Sequence, residues 1–287
     1  MLWIIYTKSH LKVATYSPAL MSKAASDNEI ENKVFYSEFF SIVVSKGKEV
    51  LYYQNEEIKT LPDVAFFRCY NFMVMEYLTK RGVKLVNSYE GMKKVRDKFE
   101  THKVVDKLKI SQPVTILSSY PDFELLKEKL TLPFVMKDNS GAGGKGVYLI
   151  NNEQEMMNVL NENKRVKFIF QKYVSFSKGR DVRLYVVGDR VVGGVVRKAT
   201  KDDFRSNISL GGVSEKFLPS KELKMSALKV AEALDLKICS VDFLFNDNEF
   251  TFCEANGNAA FSAFFAQGYN MQKIFMEYIK SEFFKKN

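Results

Sequence analysis

Short apolar runs separated by polar stretches set the rhythm of the first third of the chain. Leu2 to Tyr6, Phe39 to Val44, Val64 to Phe67 and Lys84 to Val86 read as strands, and the helix-compatible stretches between them give the alternation of an open α/β lobe. Ser45-Lys46-Gly47-Lys48-Glu49 lies between two β-rich runs and predicts a hairpin over Ile42 to Tyr53. A helix over Tyr70 to Arg81 stops at Gly82, because glycine enters the left-handed conformation that closes a helix without a Cβ clash. From Ser88 to Leu108 the chain is charged and helical until Ser111-Gln112-Pro113 breaks it.

A second unit starts at that break. Val114 to Leu117 and Pro133 to Lys137 read as strands around a helix from Pro121 to Leu130 that opens behind Ser118-Ser119. A glycine cluster follows, then a strand from Val147 to Ile150, a polar helix from Glu153 to Asn161 and a strand from Phe168 to Tyr173, together a compact α+β unit. Arg183 to Val187 and Val191 to Val196 form a hairpin around Gly188-Asp189-Arg190. The polar stretch from Lys198 to Gly212 is long for a loop in a compact domain, and such loops usually carry function. A helix from Lys221 to Leu234 leads to a last hairpin, Ile238 to Phe245 and Glu249 to Asn256 across Asn246-Asp247-Asn248, and then to a terminal helix.

The candidate chemistry sits at the ends of these strands. Gly141-Ala142-Gly143-Gly144-Lys145-Gly146 formally matches the dinucleotide fingerprint, but a strand both precedes and follows it, whereas the fingerprint opens a helix. Nor is it a Walker A loop, since Gly146 rather than Ser or Thr follows Lys145. What remains is a flexible strand–loop–strand element able to fold over a triphosphate and offer it backbone N–H groups. Lys137 closes the preceding strand, where an ammonium would lie at the edge of such a cradle; a solvated edge lysine is the alternative. On the last hairpin Glu254 and Asn256 share a strand face and Asp242 falls opposite them. Two carboxylates and an amide oxygen so placed would repel without a cation between them, and an all-oxygen set suits Mg²⁺ bridging nucleotide phosphates. Hydrogen-bonded sheet residues are the alternative. Arg197 on its strand and Arg205, Ser206 and Asn207 in the long loop add guanidinium, hydroxyl and amide groups, and arginines clamp carboxylates and transferring phosphoryl groups.

Composition narrows the class without choosing within it. The net charge of +9 is compatible with nucleic acid, an acidic surface or an acidic substrate, but the basic residues are scattered into pairs such as Lys93-Lys94 and Lys285-Lys286 and are not interleaved with aromatics as a nucleic-acid platform would be. The three cysteines, Cys69, Cys239 and Cys253, lack metal-ligand spacing and read as reduced structural thiols, suiting a cytoplasmic protein. His10 and His102 have no ligand neighbours, which argues against zinc and against histidine chemistry. No apolar run approaches the roughly 20 residues of a membrane span, and Met1 to Tyr6, too short for a signal-peptide core, is expected to be a first buried strand.

Arg96-Asp97-Lys98, Phe134-Val135-Met136-Lys137 with its glycine loop, Phe170-Gln171-Lys172-Tyr173-Val174, Gly179-Arg180-Asp181-Val182-Arg183, Asp203-Phe204-Arg205-Ser206-Asn207, Val241-Asp242-Phe243 and Glu254-Ala255-Asn256, in this order, resemble the ATP-grasp enzymes. Within that superfamily the chain is similar to the carboxylate–amine ligases that add glutamate to ribosomal protein S6 and to their relatives. The resemblance implies a three-lobed fold of α/β and α+β type: an N-terminal open α/β lobe (1–92), a small central lobe bearing the glycine lid (93–174) and a C-terminal lobe with a metal site (175–287). It implies ATP as cofactor, with Lys98 and Lys137 on its phosphates under Gly141, Gly143, Gly144 and Gly146. Gln171, Lys172, Tyr173 and Val174 then hold adenine, and Asp181 belongs to the nucleotide site. Arg205, Ser206 and Asn207 complete the nucleotide and reaction pocket, with Arg205, Asn207 and Arg197 catalytic, and Asp242, Glu254 and Asn256 hold Mg²⁺, with Mn²⁺ as the alternative ion.

The implied activity is amide formation between a carboxylate and an amine through an acyl phosphate, with ADP and phosphate released. An ATP-binding module without ligase activity and a basic nucleic-acid-binding protein are the other readings. The implied partners are an amino-acid amine donor, glutamate foremost, and a carboxylate acceptor on a small molecule or an acidic peptide or protein; a homo-oligomer is compatible, a membrane partner is not expected. Arg68, at the end of the Val64 to Phe67 strand, is the expected substrate contact, because open α/β lobes face their ligands at strand ends. Lys172 where the family usually carries Glu, and Ser209-Leu210 and Gly257-Asn258 near the expected substrate site, depart from the family pattern and bear on the substrate rather than on ATP.

Overall fold

The computed structural model describes residues 1–8, 17–208, 211–247 and 249–285; His10, Ser209, Leu210, Asn248 and Lys286 lie outside the described residues. The chain divides into two compact units: residues 1–93, 235–238 and 258–287 form one, and residues 94–234 and 239–257 the other.

The first unit is built on a parallel sheet in the order β2 (Asn32–Tyr36), β1 (Leu2–Tyr6), β6 (Val64–Phe67), β7 (Lys84–Leu85). Every residue of β1 is buried, as expected of a central parallel strand covered on both faces. Helices α1 (Pro18–Asp27), α2 (Phe72–Lys80), α8 (Ser262–Phe265) and α9 (Met271–Phe283) belong to this unit, and α3 (Tyr89–Arg96) leaves it. A small antiparallel sheet, β3 (Phe40–Ser45), β4 (Lys48–Tyr53) and β5 (Glu56–Glu57), contains the expected hairpin. Its turn residues Lys46 and Gly47 have φ of 49° and 73°, the two positive angles a tight hairpin turn requires. The β2 strand and α1, which no strong periodicity marks, are the additions to the sequence reading here.

Arg68 follows β6 as expected, but it is fully buried. Its Nη2 donates to the Ala259 carbonyl at 2.9 Å, and its guanidinium lies 5.5 Å from the ring centroids of Phe66 and Phe261 and 5.8 Å from that of Phe275. The expected substrate contact is thereby corrected: this guanidinium serves the unit's own aromatic packing.

In the second unit the helical stretch after residue 88 is two helices, not one. Asp97 leaves helical geometry (φ −96°, ψ 108°) and its side chain accepts from the Glu100 N–H, so α4 (Lys98–Lys107) starts afresh with Lys98 at its first position. Next come β8 (Thr115–Leu117), α5 (Phe123–Leu130), β9 (Phe134–Asp138), β10 (Val147–Ile150), α6 (Glu153–Glu162) and β11 (Phe168–Lys172); the strands form an antiparallel sheet in the order β10-β9-β11-β8. Phe123, Leu126, Leu130, Phe134, Met136, Ile150, Met156, Phe168 and Phe170 pack between this sheet and its helices. A five-stranded sheet follows in the order β14 (Val213–Phe217), β13 (Arg190–Lys198), β12 (Arg180–Val187), β15 (Ile238–Asn246), β16 (Glu249–Asn256), with α7 (Lys221–Ala233) against it. Two of these details exceed the sequence reading: β12 begins three residues earlier than expected, at Arg180, and the end of the polar loop gives the edge strand β14.

Asn87 ties a distant segment into the first unit. Its Nδ2 donates to the Ile238 carbonyl at 2.8 Å, and its Oδ1 accepts from the N–H groups of Lys237 and Ile238 at 2.8 and 2.9 Å. Truncation strands three backbone groups, two of them buried, so Asn87→Ala is expected to cost about 2–3 kcal/mol of stability in urea unfolding.

Candidate active site

One face of the five-stranded sheet carries an unusual concentration of buried charge. Asp181 and Arg183 alternate with Val182 and Leu184 along β12, so they share a face, and Arg197 on β13 is the register partner of Asp181. Asp242 projects from β15, the next strand. The Arg183 guanidinium grips the Asp242 carboxylate with two bonds, Nε to Oδ1 at 2.7 Å and Nη2 to Oδ2 at 2.6 Å. Arg197 grips Asp181 in the same way, with Nε to Oδ1 at 2.7 Å, and also donates to Asp242 Oδ2 at 2.9 Å. Burial alone would raise the Asp242 pKa, but the two guanidiniums outweigh it and hold the carboxyl below its ordinary value. Burial likewise works against the charge on both arginines, and the acids they contact more than restore it.

A bulge aims the next acid at this array. In the hairpin of β15 and β16, Phe243 pairs with Phe252 but Asp242 pairs with Glu254, so Cys253 is the extra residue. Without it Cys253 would face Asp242 and Glu254 would turn to the other side of the sheet. Glu254 lies 4.0 Å from Arg183 Nη2 and accepts from the Asn256 side-chain amide at 3.2 Å. The positive charge that a row of carboxylates on one strand face demands is thus supplied by Arg183 and Arg197.

A cavity within the second unit is lined by Lys98, Lys137, the loop residues Gly141 to Lys145, the hinge Gln171 to Val174, Asp181, Arg197, Arg205 to Asn207, Cys253 and Glu254. The loop's Gly143, Gly144 and Gly146 all have positive φ (68°, 75° and 67°), which side chains with a Cβ rarely adopt. Two cations reach its carbonyls: Lys98 Nζ donates to Gly141 O, and Arg205 Nη1 to Gly144 O at 3.0 Å. Arg205 is also held by Asp203, through Nε at 3.0 Å and Nη2 at 2.9 Å. Lys98 is placed by the start of α4, whose first two N–H groups donate to the backbone and side-chain oxygens of Asn139 at 3.0 and 2.9 Å. Burial pushes the Lys98 ammonium below its ordinary pKa; Glu254 opposes that and Lys137 reinforces it. The 203–207 loop sits against Gly212, where a Cβ would meet Ser206 O at 2.7 Å, so the glycine is a steric requirement.

The cavity therefore gathers Lys98, Lys137, Gly141, Gly143, Gly144, Gln171, Lys172, Tyr173, Val174, Asp181, Arg197, Arg205, Ser206, Asn207 and Glu254, while Gly146, Asp242 and Asn256 do not line it. Asp242 is fully buried, and three of its four lone-pair positions are taken by guanidinium N–H groups. No group of three or more His, Cys, Asp or Glu side chains suited to a metal occurs among the described residues. Of the three residues expected to hold a cation, Glu254 lines the cavity, while Asp242 anchors the two arginines and Asn256 donates its amide to Glu254. The sequence reading gave Arg183 and His102 no role in the site. Arg183 could have been found from Asp181 and Arg183 alternating in an otherwise apolar strand. All three cysteines are free; Cys69 and Cys239 are buried, whereas Cys253 is half-buried on the cavity wall, its Sγ 3.9 Å from Lys137 Nζ. Among the described residues no helix is long and apolar enough to cross a membrane.

A glycine loop over a cavity ringed by lysines and arginines, with a strand-to-hinge wall and carboxylates on a sheet floor, defines an ATP-grasp enzyme. The chain belongs to the RimK-like ATP-grasp family, whose domain matches residues 95–279. Human N-acetylaspartylglutamate synthase A is 29% identical over 258 residues, covering 85% of this chain and 66% of that protein. Human beta-citrylglutamate synthase B is 30% identical over 260 residues, covering 86% of this chain and 67% of that protein. The chain thus spans about two thirds of the length of these relatives. Among solved structures, D-alanine–D-alanine ligase from Bacillus anthracis complexed with ATP matches with a TM-score of 0.72 at 16% identity, over 98% of this chain and 96% of that one. The family resemblance and the mixed α/β fold class read from the motifs are both borne out.

Asp242→Asn leaves Arg183 and Arg197 buried with half their counter-charge, and is expected to cost about 3–5 kcal/mol at neutral pH by urea unfolding. Because the folded-state pKa of Asp242 is depressed, its contribution is present above the unfolded value near 4 and is lost as pH falls through the folded value. The gap between wild type and variant should therefore narrow as the pH is lowered below about 4.

Proposed function

We propose that the protein is an ATP-dependent ligase that joins a carboxylate to an amine, activating the carboxylate as an acyl phosphate. The observation that carries this reading is the convergence on one cavity of a glycine loop, the cations Lys98, Lys137 and Arg205, a backbone hinge at Lys172 to Val174 and the carboxylate of Glu254. The family membership and the relatives named as synthases of glutamate-containing products support it.

In this reading the hinge backbone takes adenine, and the loop closes over the triphosphate with Lys98, Lys137 and Arg205 neutralising it. The acceptor carboxylate attacks the γ-phosphorus and ADP leaves; the amine nitrogen then attacks the acyl carbon and phosphate leaves. Glu254 and Asn256 are the residues to hold Mg²⁺, which supplies charge neutralisation at the phosphates, and Mn²⁺ would suit the same oxygen donors. Arg197 belongs to the cavity floor as a positioning residue, since its donors are committed to Asp181 and Asp242. Loop closure excludes water, which would otherwise hydrolyse the acyl phosphate. Glutamate is the proposed amine donor, and an acidic molecule or peptide suits the +9 charge as acceptor. A reducing compartment such as the cytoplasm fits the free thiols.

The test supplies ATP, Mg²⁺ and a panel of amino acids and carboxylate acceptors, follows ADP and weighs the products. ADP release that requires both partners, with a product heavier than the acceptor by one amino acid less water, is the expected outcome. Glu254→Gln should lower turnover about 10²-fold or more. ADP release indifferent to every acceptor and amine would favour a nucleotide-binding module instead.

A further inference from the structure

A hydrogen-bond relay that ends on the cavity wall fixes the direction of one amide. It starts at Gln112, whose Nε2 donates to the His102 carbonyl at 3.1 Å and to Asp106 Oδ1 at 3.3 Å. Both partners only accept, so the Gln112 amide cannot be reversed, and its Oε1 is the atom that meets His102 Nδ1 at 2.8 Å. His102 Nδ1 must therefore carry the hydrogen. The ring is buried and burial lowers its pKa to about 4, so near neutral pH it is uncharged and Nε2 is a bare acceptor. The atom facing Nε2 at 2.9 Å must then be a donor, which makes it Gln171 Nε2.

A second contact is consistent with this assignment. The Thr115 hydroxyl lies 2.9 Å from the Pro113 carbonyl, and with its hydrogen directed there its Oγ1 accepts from Gln171, 2.8 Å away. With both hydrogens of the Gln171 amide used, Oε1 is left as an acceptor. It is buried without a partner, on a side chain that is 1% exposed and lines the cavity at the start of the hinge. A buried carbonyl oxygen without a donor costs about 1–3 kcal/mol, so its placement calls for a ligand that donates.

Adenine has one donor, its 6-amino group; its other polar ring atoms accept. We infer that Gln171 Oε1 reads the 6-amino group of the purine, and that His102, through Gln112 and seconded by Thr115, is the positioning residue that keeps the amide from turning its donors toward the base. The inference rests on the nucleotide reading above and deepens it. Hypoxanthine, which carries a carbonyl at that position, would set two acceptors against each other. A glutamine free to rotate would accommodate either base, so the relay converts an ambivalent side chain into a selective one.

Calorimetric titration of the Mg²⁺-supplemented protein with ADP and with IDP tests this. The wild type should bind ADP at least about tenfold more tightly than IDP. Gln171→Leu should bring the two affinities within about threefold, mainly by weakening ADP, and His102→Phe should lower the ratio by restoring amide rotation. A purely structural lesion would weaken both nucleotides alike and leave the ratio unchanged. Gln171→Leu carries the test should the His102 variant not fold. An undiminished ADP preference in Gln171→Leu overturns the inference, as does equal binding of both nucleotides by the wild type, and in both cases the nucleotide reading stands. Binding of neither nucleotide by the folded wild type removes that reading as well.

Discussion

Four buried charges on three adjacent strands, Arg197 and Asp181 on one pair and Arg183 and Asp242 on the next, are the constraint on which the cavity floor depends. Ion pairs in a low-dielectric interior are stable only with good geometry and with their remaining donors and acceptors satisfied, since desolvation otherwise exceeds the attraction. Here both pairs are bidentate and Arg197 bridges them. A slip of one residue in β12 or β15 would turn an arginine or an aspartate into the apolar layer on the opposite face, so the array pins strand register as well as charge. The bulge at Cys253 then adds Glu254 to the same face, at the cavity.

Above this floor the groups that would meet phosphate come from three separate elements. Lys98 stands at a helix start fixed by Asp97 and Asn139, Lys137 ends a core strand, and Arg205 sits on a loop packed on Gly212. Lys98 and Arg205 both hold carbonyls of the glycine loop. The loop's own backbone thus engages the cations that phosphate oxygens would engage, an exchange of one oxygen acceptor for another that a hinged, glycine-rich segment can make at low conformational cost.

Much of this was legible in the sequence, for a physical reason: period-two and helical patterns report burial directly. The strands Leu2–Tyr6, Val64–Phe67, Val147–Ile150 and Glu249–Asn256 coincide with the expected runs. The edge strand Val213–Phe217 and the first residues of β12 were hidden because successive charged residues, Glu215-Lys216 and Arg180-Asp181, look like loop when their partner charges lie far away in sequence. The same blindness affected single residues. The sequence reading gave Asp242 a metal and no ion-pair partner, since nothing local reveals that Arg183 and Arg197 arrive from neighbouring strands. Arg68 looked like a ligand contact until its aromatic enclosure, drawn in part from residues 259–275, was visible. His102 looked inert, yet it orients the amide of Gln171, 69 residues away.

In the proposed reaction the acceptor carboxylate attacks the γ-phosphorus directly, and isotope transfer measures that step. With an acceptor whose carboxylate oxygens are ¹⁸O, turnover in unlabelled water should deliver one labelled oxygen to each phosphate released, because the amine expels phosphate with the former carboxylate oxygen still attached. Amide product accompanied by phosphate free of the label would show that the carboxylate is activated by another route and would rule out direct attack.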